Sequence, residues 1–207
     1  MSPPYINLGW RLNAVYFTSP SEGWAVGGYE EGTGVLVHFM SPISPNEGTI
    51  GTEFTIRGSG FGTKKNKVLL GTTVLKILEW TDKSIQCQLT KALSPGTYDV
   101  TIQPQAKGSS PIIIANGFMV KAPEIDSVNP TSGSIGDEIT VNGFFYGTKR
   151  GKVTLGGKTC KVLSWTMDST TGESMIQLTM PKGLSSGIQE LKVTNGMGAD
   201  TINFTLK

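Results

Sequence analysis

The feature that most constrains the fold is an internal repeat, in which one stretch of sequence returns 85 residues later. The segment Ile43-Ser-Pro-Asn-Glu-Gly-Thr-Ile-Gly aligns with Val128-Asn-Pro-Thr-Ser-Gly-Ser-Ile-Gly, and further matches follow along the chain. A repeat of this length predicts two homologous domains of about 80 residues each. We expect them to span residues 40–121 and 122–207.

Within each copy, apolar residues alternate with polar ones. Alternation over short runs, separated by clusters of Gly, Pro, Asn and Ser, is typical of an antiparallel β-sandwich. The 27 glycines among 207 residues suit the tight turns that such a fold needs. The alternating positions also correspond between the copies: Phe54, Ile56, Val100 and Ile102 in the first answer to Ile139, Val141, Leu191 and Val193 in the second.

The order of motifs is shared by both copies: Ile/Val-x-Pro-x-x-Gly, Gly-x-x-Phe/Tyr-Gly, Val-x-x-Gly, Trp-Thr and Leu-Ser-x-Gly. This order resembles the IPT/TIG family of immunoglobulin-like domains over residues 40–207. The resemblance implies an all-β fold class, with two tandem immunoglobulin-like β-sandwiches after a short N-terminal β-hairpin or blade segment. It also implies an extracellular or cell-surface location. The first residues themselves show no basic segment followed by an apolar one, as a signal peptide would.

Members of this family commonly carry a cysteine pair, and each copy here holds only one half of it. Cys87 has Leu75 at the partner position, and Cys160 has Leu178. The resemblance therefore implies that neither domain has the intradomain disulfide. Because leucine replaces each partner, we expect both thiols to be buried and unreactive.

Residues 1–39 form a different unit. The segment Leu12-Asn-Ala-Val-Tyr-Phe, followed by Gly23-Trp-Ala-Val-Gly and Gly34-Val-Leu-Val-His-Phe, resembles one blade of a BNR-type β-propeller. One blade cannot close a propeller, which typically has at least about four. We therefore expect residues 1–39 to be a fragment of a larger unit. Edge-strand pairing that links copies into a filament, and thus self-association through sheet edges, is a further alternative.

No residue pattern indicates catalysis. The single histidine, His38, lies in an alternating strand, and neither a Gly-x-Ser-x-Gly motif nor a zinc motif occurs. The aspartates, among them Asp126 and Asp168, lack the dense spacing of a calcium loop. No run approaches the roughly 18 apolar residues of a membrane span. We therefore predict a protein that is not an enzyme, has no cofactor and does not insert into membranes.

Each copy carries a basic loop tip at the same place. Some IPT/TIG-like domains contact DNA through their loops, so nucleic acid is one interpretation. It is disfavoured by a net charge of only +2 and by the absence of a predicted recognition helix. Solvated hairpin tips that protect an edge strand are the favoured alternative. The residues are Lys64, Lys65 and Lys67 in the first copy, and Lys149, Arg150 and Lys152 in the second.

The matched tryptophans Trp80 and Trp165 are the best candidates for ligand contact, since exposed aromatic faces can stack on sugar rings. The alternative is that each packs over the end of its sandwich. Leu78 and Leu163, two residues earlier, favour packing because they alternate in phase with the tryptophans. After Trp165 the second copy gains six residues within 167–174.

These observations favour a non-enzymatic structural or interaction module of a larger secreted or cell-surface protein, acting as spacer, scaffold or adhesion unit. The alternative is a carbohydrate- or protein-binding module that uses its loop tips and the two tryptophans. The link Lys121-Ala-Pro-Glu-Ile is short and contains proline, so we expect the two domains to be held semi-rigidly.

Overall fold

A computed structural model describes residues 10–19, 22–29, 34–103 and 110–207, and every regular element in these ranges is a β-strand. The same ranges contain no helix with the length and hydropathy of a membrane span. The first strands form an antiparallel sheet in chain order. They are β1 (Trp10–Ser19), β2 (Glu22–Tyr29) and β3 (Gly34–Met40).

Both faces of this first sheet carry exposed apolar side chains. Val15 and Val37 lie in register with Ala25 on one face, while Tyr16 and Trp24 pair on the other. Tyr16 is 69 % exposed and Val15 55 %. A sheet that is apolar on both faces is typical of one that is covered on both sides.

The first sandwich packs a four-stranded sheet, β4-β6-β10-β9, against a five-stranded sheet, β5-β12-β11-β7-β8. Its strands are β4 (Ile43–Ser44), β5 (Glu47–Gly48), β6 (Glu53–Arg57), β7 (Val68–Leu70), β8 (Thr73–Val74), β9 (Lys76–Trp80), β10 (Ser84–Gln88), β11 (Gly96–Ile102) and β12 (Ile112–Val120). We call this unit sandwich 1.

The second sandwich repeats the arrangement, with sheets β13-β15-β19-β18 and β14-β21-β20-β16-β17. Its strands are β13 (Glu124–Asn129), β14 (Ser132–Gly133), β15 (Glu138–Phe144), β16 (Lys152–Leu155), β17 (Lys158–Thr159), β18 (Lys161–Met167), β19 (Glu173–Thr179), β20 (Gly187–Thr194) and β21 (Ala199–Leu206). We call this unit sandwich 2. The predicted all-β fold with two tandem sandwiches is confirmed.

In both units the first segment crosses from one sheet to the other. β4 pairs antiparallel with β6, after which β5 pairs parallel with β12, the last strand of sandwich 1. β13 and β14 repeat this, and β14 runs parallel to β21. The crossing takes place at a cis proline in each case, Pro45 and Pro130. Each sandwich is thereby closed by pairing between its first and its last segment.

The alternating residues form two separate cores, as predicted. In sandwich 1, Phe54 and Phe118 from opposite sheets meet with ring centroids 4.6 Å apart. Cys87 and Cys160 are both free and buried, one in each core. The expectation of buried thiols without a disulfide is confirmed.

The alternation around the tryptophans differs from the prediction. A β-bulge in β9 lies between the pairs Cys87↔Ile77 and Gln86↔Glu79, so that Leu78 turns outward and is 37 % exposed. Leu163 occupies the matching bulge in β18 and is 44 % exposed. The leucines are therefore out of phase with Trp80 and Trp165, because one extra residue in a bulge shifts the alternation.

We predict that both thiols resist alkylation in the folded protein. Burial raises the pKa of the Cys87 thiol from 9.0 to about 12 and that of Cys160 from 9.0 to about 11. Above pH 9 the unfolded chain loses its thiol protons, whereas the native state keeps them. The contribution of the neutral thiols to the free energy of unfolding is therefore complete below pH 9, and it is lost as the pH rises through the pKa values of the folded state. Denaturant midpoints should therefore fall between pH 9 and 11.

The control is the Cys87→Ser, Cys160→Ser double variant, whose midpoint should fall less over the same range. Rapid iodoacetamide labelling of either thiol in the native protein at neutral pH would contradict the burial argument.

Candidate functional site

Trp80 is half-buried against the core of sandwich 1, and Trp165 is half-buried against the core of sandwich 2. The Trp80 indole N–H donates to the Gly62 carbonyl at 3.0 Å, and the Trp165 N–H donates to the Gly147 carbonyl at 2.7 Å. Phe61 lies edge-on to Trp80, and its counterpart Tyr146 tilts against Trp165. A ligand at these positions could use only the exposed part of a ring, since each N–H already has an acceptor.

The basic tips lie on the surface, in the loops that lead into β7 and β16 and at the first residue of β16. All six predicted cations are exposed. Lys65 nevertheless donates its ammonium to the Ile77 carbonyl at 2.7 Å, so it stabilises its own loop. The described residues contain no group of three or more His, Cys, Asp or Glu side chains that could hold a metal ion. His38 lies in β3, opposite Trp24 in the strand register.

The largest feature that the sequence did not predict is the junction between the sandwiches. Met197 belongs to the β20–β21 turn of sandwich 2, yet its side chain is 4 % exposed and is part of the core of sandwich 1. The Leu93 N–H of sandwich 1 donates to the Met197 sulfur at 3.0 Å. One domain therefore supplies a core residue to the other.

Asn195, in the same turn, bonds backbone groups of sandwich 2 and a side-chain hydroxyl of sandwich 1. Its Nδ2 donates to the Phe145 carbonyl at 2.9 Å and to the Tyr146 carbonyl at 3.1 Å, and contacts Thr49 Oγ1 of sandwich 1 at 3.3 Å. Its Oδ1 accepts the N–H of Met197 at 2.7 Å. These bonds fix the turn in the shape that presents Met197.

Backbone bonds also cross the junction directly. The Thr148 N–H donates to the Ile50 carbonyl at 3.2 Å, and the Glu53 N–H donates to the Ser169 carbonyl at 2.9 Å. Ser169 lies in the six-residue insertion, which thus contacts the neighbouring domain. The expectation of a semi-rigid link rested on the short, proline-containing segment 121–125, whereas these contacts come from loops of both sandwiches.

Two glycines allow the domains to approach closely. Gly51 has φ +96°, and a Cβ there would lie within van der Waals overlap of Thr148 Oγ1. Gly147 has φ +89°, and a Cβ there would lie 2.8 Å from Ile50 Cγ2. The matched glycines Gly136 and Gly62 also have positive φ, but nothing lies within 4 Å of a Cβ there. The turn requires glycine in both copies, and only at the junction does packing require it as well.

The family model for the IPT/TIG domain matches residues 39–112 and 123–206. The chain therefore belongs to the IPT/TIG family of immunoglobulin-like domains, as the motif order predicted. The match covers sandwich 2 and sandwich 1 up to the first residue of β12, and it does not extend to β1 and β2.

Curated relatives contain the matched segment as a small part. The chain is 30 % identical over 161 residues to human fibrocystin-L, covering 74 % of this chain and 4 % of that protein. It is 28 % identical over 119 residues to a cyclomaltodextrin glucanotransferase of Geobacillus stearothermophilus, covering 56 % and 16 %. The chain thus spans less than one fifth of either relative.

Among solved structures, the chain is similar to the extracellular region of plexin A4, with a TM-score of 0.43 and 15 % identity. The match covers 80 % of this chain and 18 % of that one.

We predict that Met197→Ala destabilises sandwich 1 although the substituted residue belongs to sandwich 2. Removing a buried methionine side chain costs about 2 kcal/mol or more in a core that cannot collapse. Amide hydrogen exchange should show lower protection in β6 and β10, whereas β15 and β19 keep theirs. Met180→Ala is the control, because Met180 is 3 % exposed in the core of sandwich 2 and should weaken β15 and β19. If Met197→Ala lowered amide protection equally in both sandwiches, Met197 would not be a core residue of sandwich 1 alone.

Proposed function

We propose that this chain is a non-catalytic tandem module that acts as a rigid spacer or scaffold in a larger secreted or cell-surface protein. The observation that carries the proposal is the Met197 side chain in the core of sandwich 1. A junction built on a shared core residue resists bending, unlike a linker that only tethers two domains. A fixed relation between domains is what a spacer needs to hold other parts of a protein at a set distance.

The location and the non-catalytic role belong to the same proposal. Membership of the IPT/TIG family supports both. For the non-catalytic role, the immunoglobulin-like module supplies a stable surface without a catalytic motif. Two cores of this size are stable without a disulfide or a metal ion. We take residues 40–121 and 122–207 as the two modules, in agreement with strands that end at Val120 and begin again at Glu124.

We further propose that residues 1–39 form a blade-like sheet that packs between other sheets of the larger protein. The support is the apolar character of both faces of β1–β3, with Tyr16 and Trp24 on one side and Val15 and Val37 on the other. Blades of a propeller pack face to face and need apolar residues on both sides.

The rigid junction predicts that small-angle scattering of the native chain fits a single arrangement of the two sandwiches. Gly51→Ala should broaden the distance distribution, because the added methyl group overlaps Thr148 across the junction. It should also cost about 1–2 kcal/mol for the positive φ.

The matched control is Gly136→Ala, which has the same backbone strain at φ +90° with no neighbour within 4 Å. It should lower stability by a similar amount without changing the scattering profile. Scattering from the native chain that requires freely tumbling domains would refute the rigid spacer, as would identical profiles for the two variants.

A further inference from the structure

A shallow hollow of about 390 Å³ lies on the outer face of the four-stranded sheet of sandwich 2. Two rows of side chains cross it. Asn142, Met175 and Thr166 lie side by side on β15, β19 and β18, and Phe144 lies beside Glu173 in the next row. Asp126, at a bulge in β13, and Asp168, after β18, form its two ends.

The six-residue insertion builds this hollow. It lengthens the hairpin of β18 and β19 beyond that of β9 and β10. Glu173 is thereby added at the start of β19, and Asp168 lies just past the end of β18. The positions in sandwich 1 that match Asn142, Phe144 and Met175 are Arg57, Ser59 and Ser84. The hollow is therefore a property of the second copy and not of the fold.

The lining combines an apolar platform with hydrogen-bonding groups. Phe144 and Met175 are each 38 % exposed, whereas aromatic rings of this size are ordinarily covered. The Asp168 carboxylate accepts the N–H groups of Thr171 and Thr170 through Oδ1, at 2.8 and 2.7 Å. The backbone hydrogen bonds from Thr171 and Thr170, with a side-chain hydrogen bond from Thr171, lower the pKa of Asp168.

A buried hydroxyl without a partner lies beneath the floor. Tyr146 is fully buried, and among the described residues its Oη is the buried side-chain oxygen that makes no hydrogen bond. A Cβ on Gly143, part of the floor, would lie 2.6 Å from this oxygen.

The first copy shows that packing does not need the hydroxyl. Phe61 occupies the position that matches Tyr146, and Gly58 matches Gly143. A Cβ on Gly58 would lie 2.6 Å from the ring carbon Cζ of Phe61, the same distance as in the second copy. Because phenylalanine fills the same space, the hydroxyl of Tyr146 has no structural explanation. An unpaired buried polar group needs an explanation, and this one lies on the core side of the strand whose other face lines the hollow.

We propose that this hollow binds a short segment of a neutral oligosaccharide, with one sugar ring on Phe144 and its hydroxyls on Asn142, Asp126 and Glu173. The apolar face of a sugar ring suits the exposed aromatic ring, and its hydroxyls supply donors for the carboxylates. The carboxylates repel anionic polysaccharides. They do not gather around one point as a metal site requires.

The neutral partners favour sugar hydroxyls over a cationic side chain. The Asn142 amide and the Thr166 hydroxyl offer both donors and acceptors, which a sugar hydroxyl can use and an ammonium group cannot. The proposal is argued separately from the rigid spacer, because the binding face is the outer side of the sheet of sandwich 2. The insertion serves both, since Ser169, next to Asp168, accepts the Glu53 N–H across the junction.

The test is a nuclear magnetic resonance titration of the whole chain with maltohexaose, cellohexaose and xylohexaose. Each sugar is added to about 10 mM, which detects millimolar dissociation constants. At least one should shift the amides of Asn142, Phe144 and Glu173. Phe144→Ala should weaken that binding by about tenfold or more, as expected for a central aromatic contact.

Tyr146→Phe is the second variant, and it mimics the residue of the first copy. It should bind the same sugar as the native chain does, because the hydroxyl lies on the core side of β15 and does not line the hollow. Its melting temperature should stay equal or rise, because an unpaired hydroxyl is removed. Leu163→Ala, on an exposed residue of the same sheet, is the control and should bind as the native chain does.

Three results would overturn the proposal: no shift with any of the sugars, shifts that map away from the hollow, or binding of a hexalysine peptide at the hollow in place of the sugars. The last result would identify a site for a basic protein segment. We expect these variants to leave the small-angle scattering profile unchanged. A failure of sugar binding would therefore not bear on the spacer proposal, which is tested by scattering.

Discussion

The contact that most clearly joins the two domains is one side chain that crosses between them. Met197 leaves the β20–β21 turn of sandwich 2 and completes the core of sandwich 1, where the Leu93 N–H contacts its sulfur. Methionine suits this place because its flexible side chain adapts to an irregular gap. Asn195 holds the turn in position from within sandwich 2. The stability of the first domain is therefore partly encoded in the second.

The strands and the cores could be predicted from the sequence, because alternation and turn residues act locally and occur twice. The phase of the inward–outward alternation around Trp80 and Trp165 could not be predicted. A bulge at Leu78 or Leu163 adds a single residue, and the composition of the strand does not indicate it. The junction was also beyond prediction. Met197 follows a β-strand like any turn residue, and only the fold places it in another core.

The site on sandwich 2 shows a further limit of the sequence. The insertion within 167–174 was visible, but an insertion in a hairpin is commonly only a longer loop. The contribution of the insertion to the hollow depends on the pairing register of β15 and β19, which places Phe144 beside Glu173. The comparison between copies is informative here, since Phe61 and Tyr146 do the same packing and differ by one oxygen. A repeated domain thus contains its own reference for separating what the fold requires from what one copy has acquired.

The parallel pairing of the first and last segments has a mechanical consequence. β5 runs alongside β12, held by the Met119 and Lys121 N–H groups, and β14 runs alongside β21 through Thr205 and Lys207. When a sandwich is pulled by its two ends, strands paired in this way slide past each other and load their hydrogen bonds together. An antiparallel pair at the same place would open one bond at a time. The parallel pairing in each unit therefore resists separation of its first and last segments in shear.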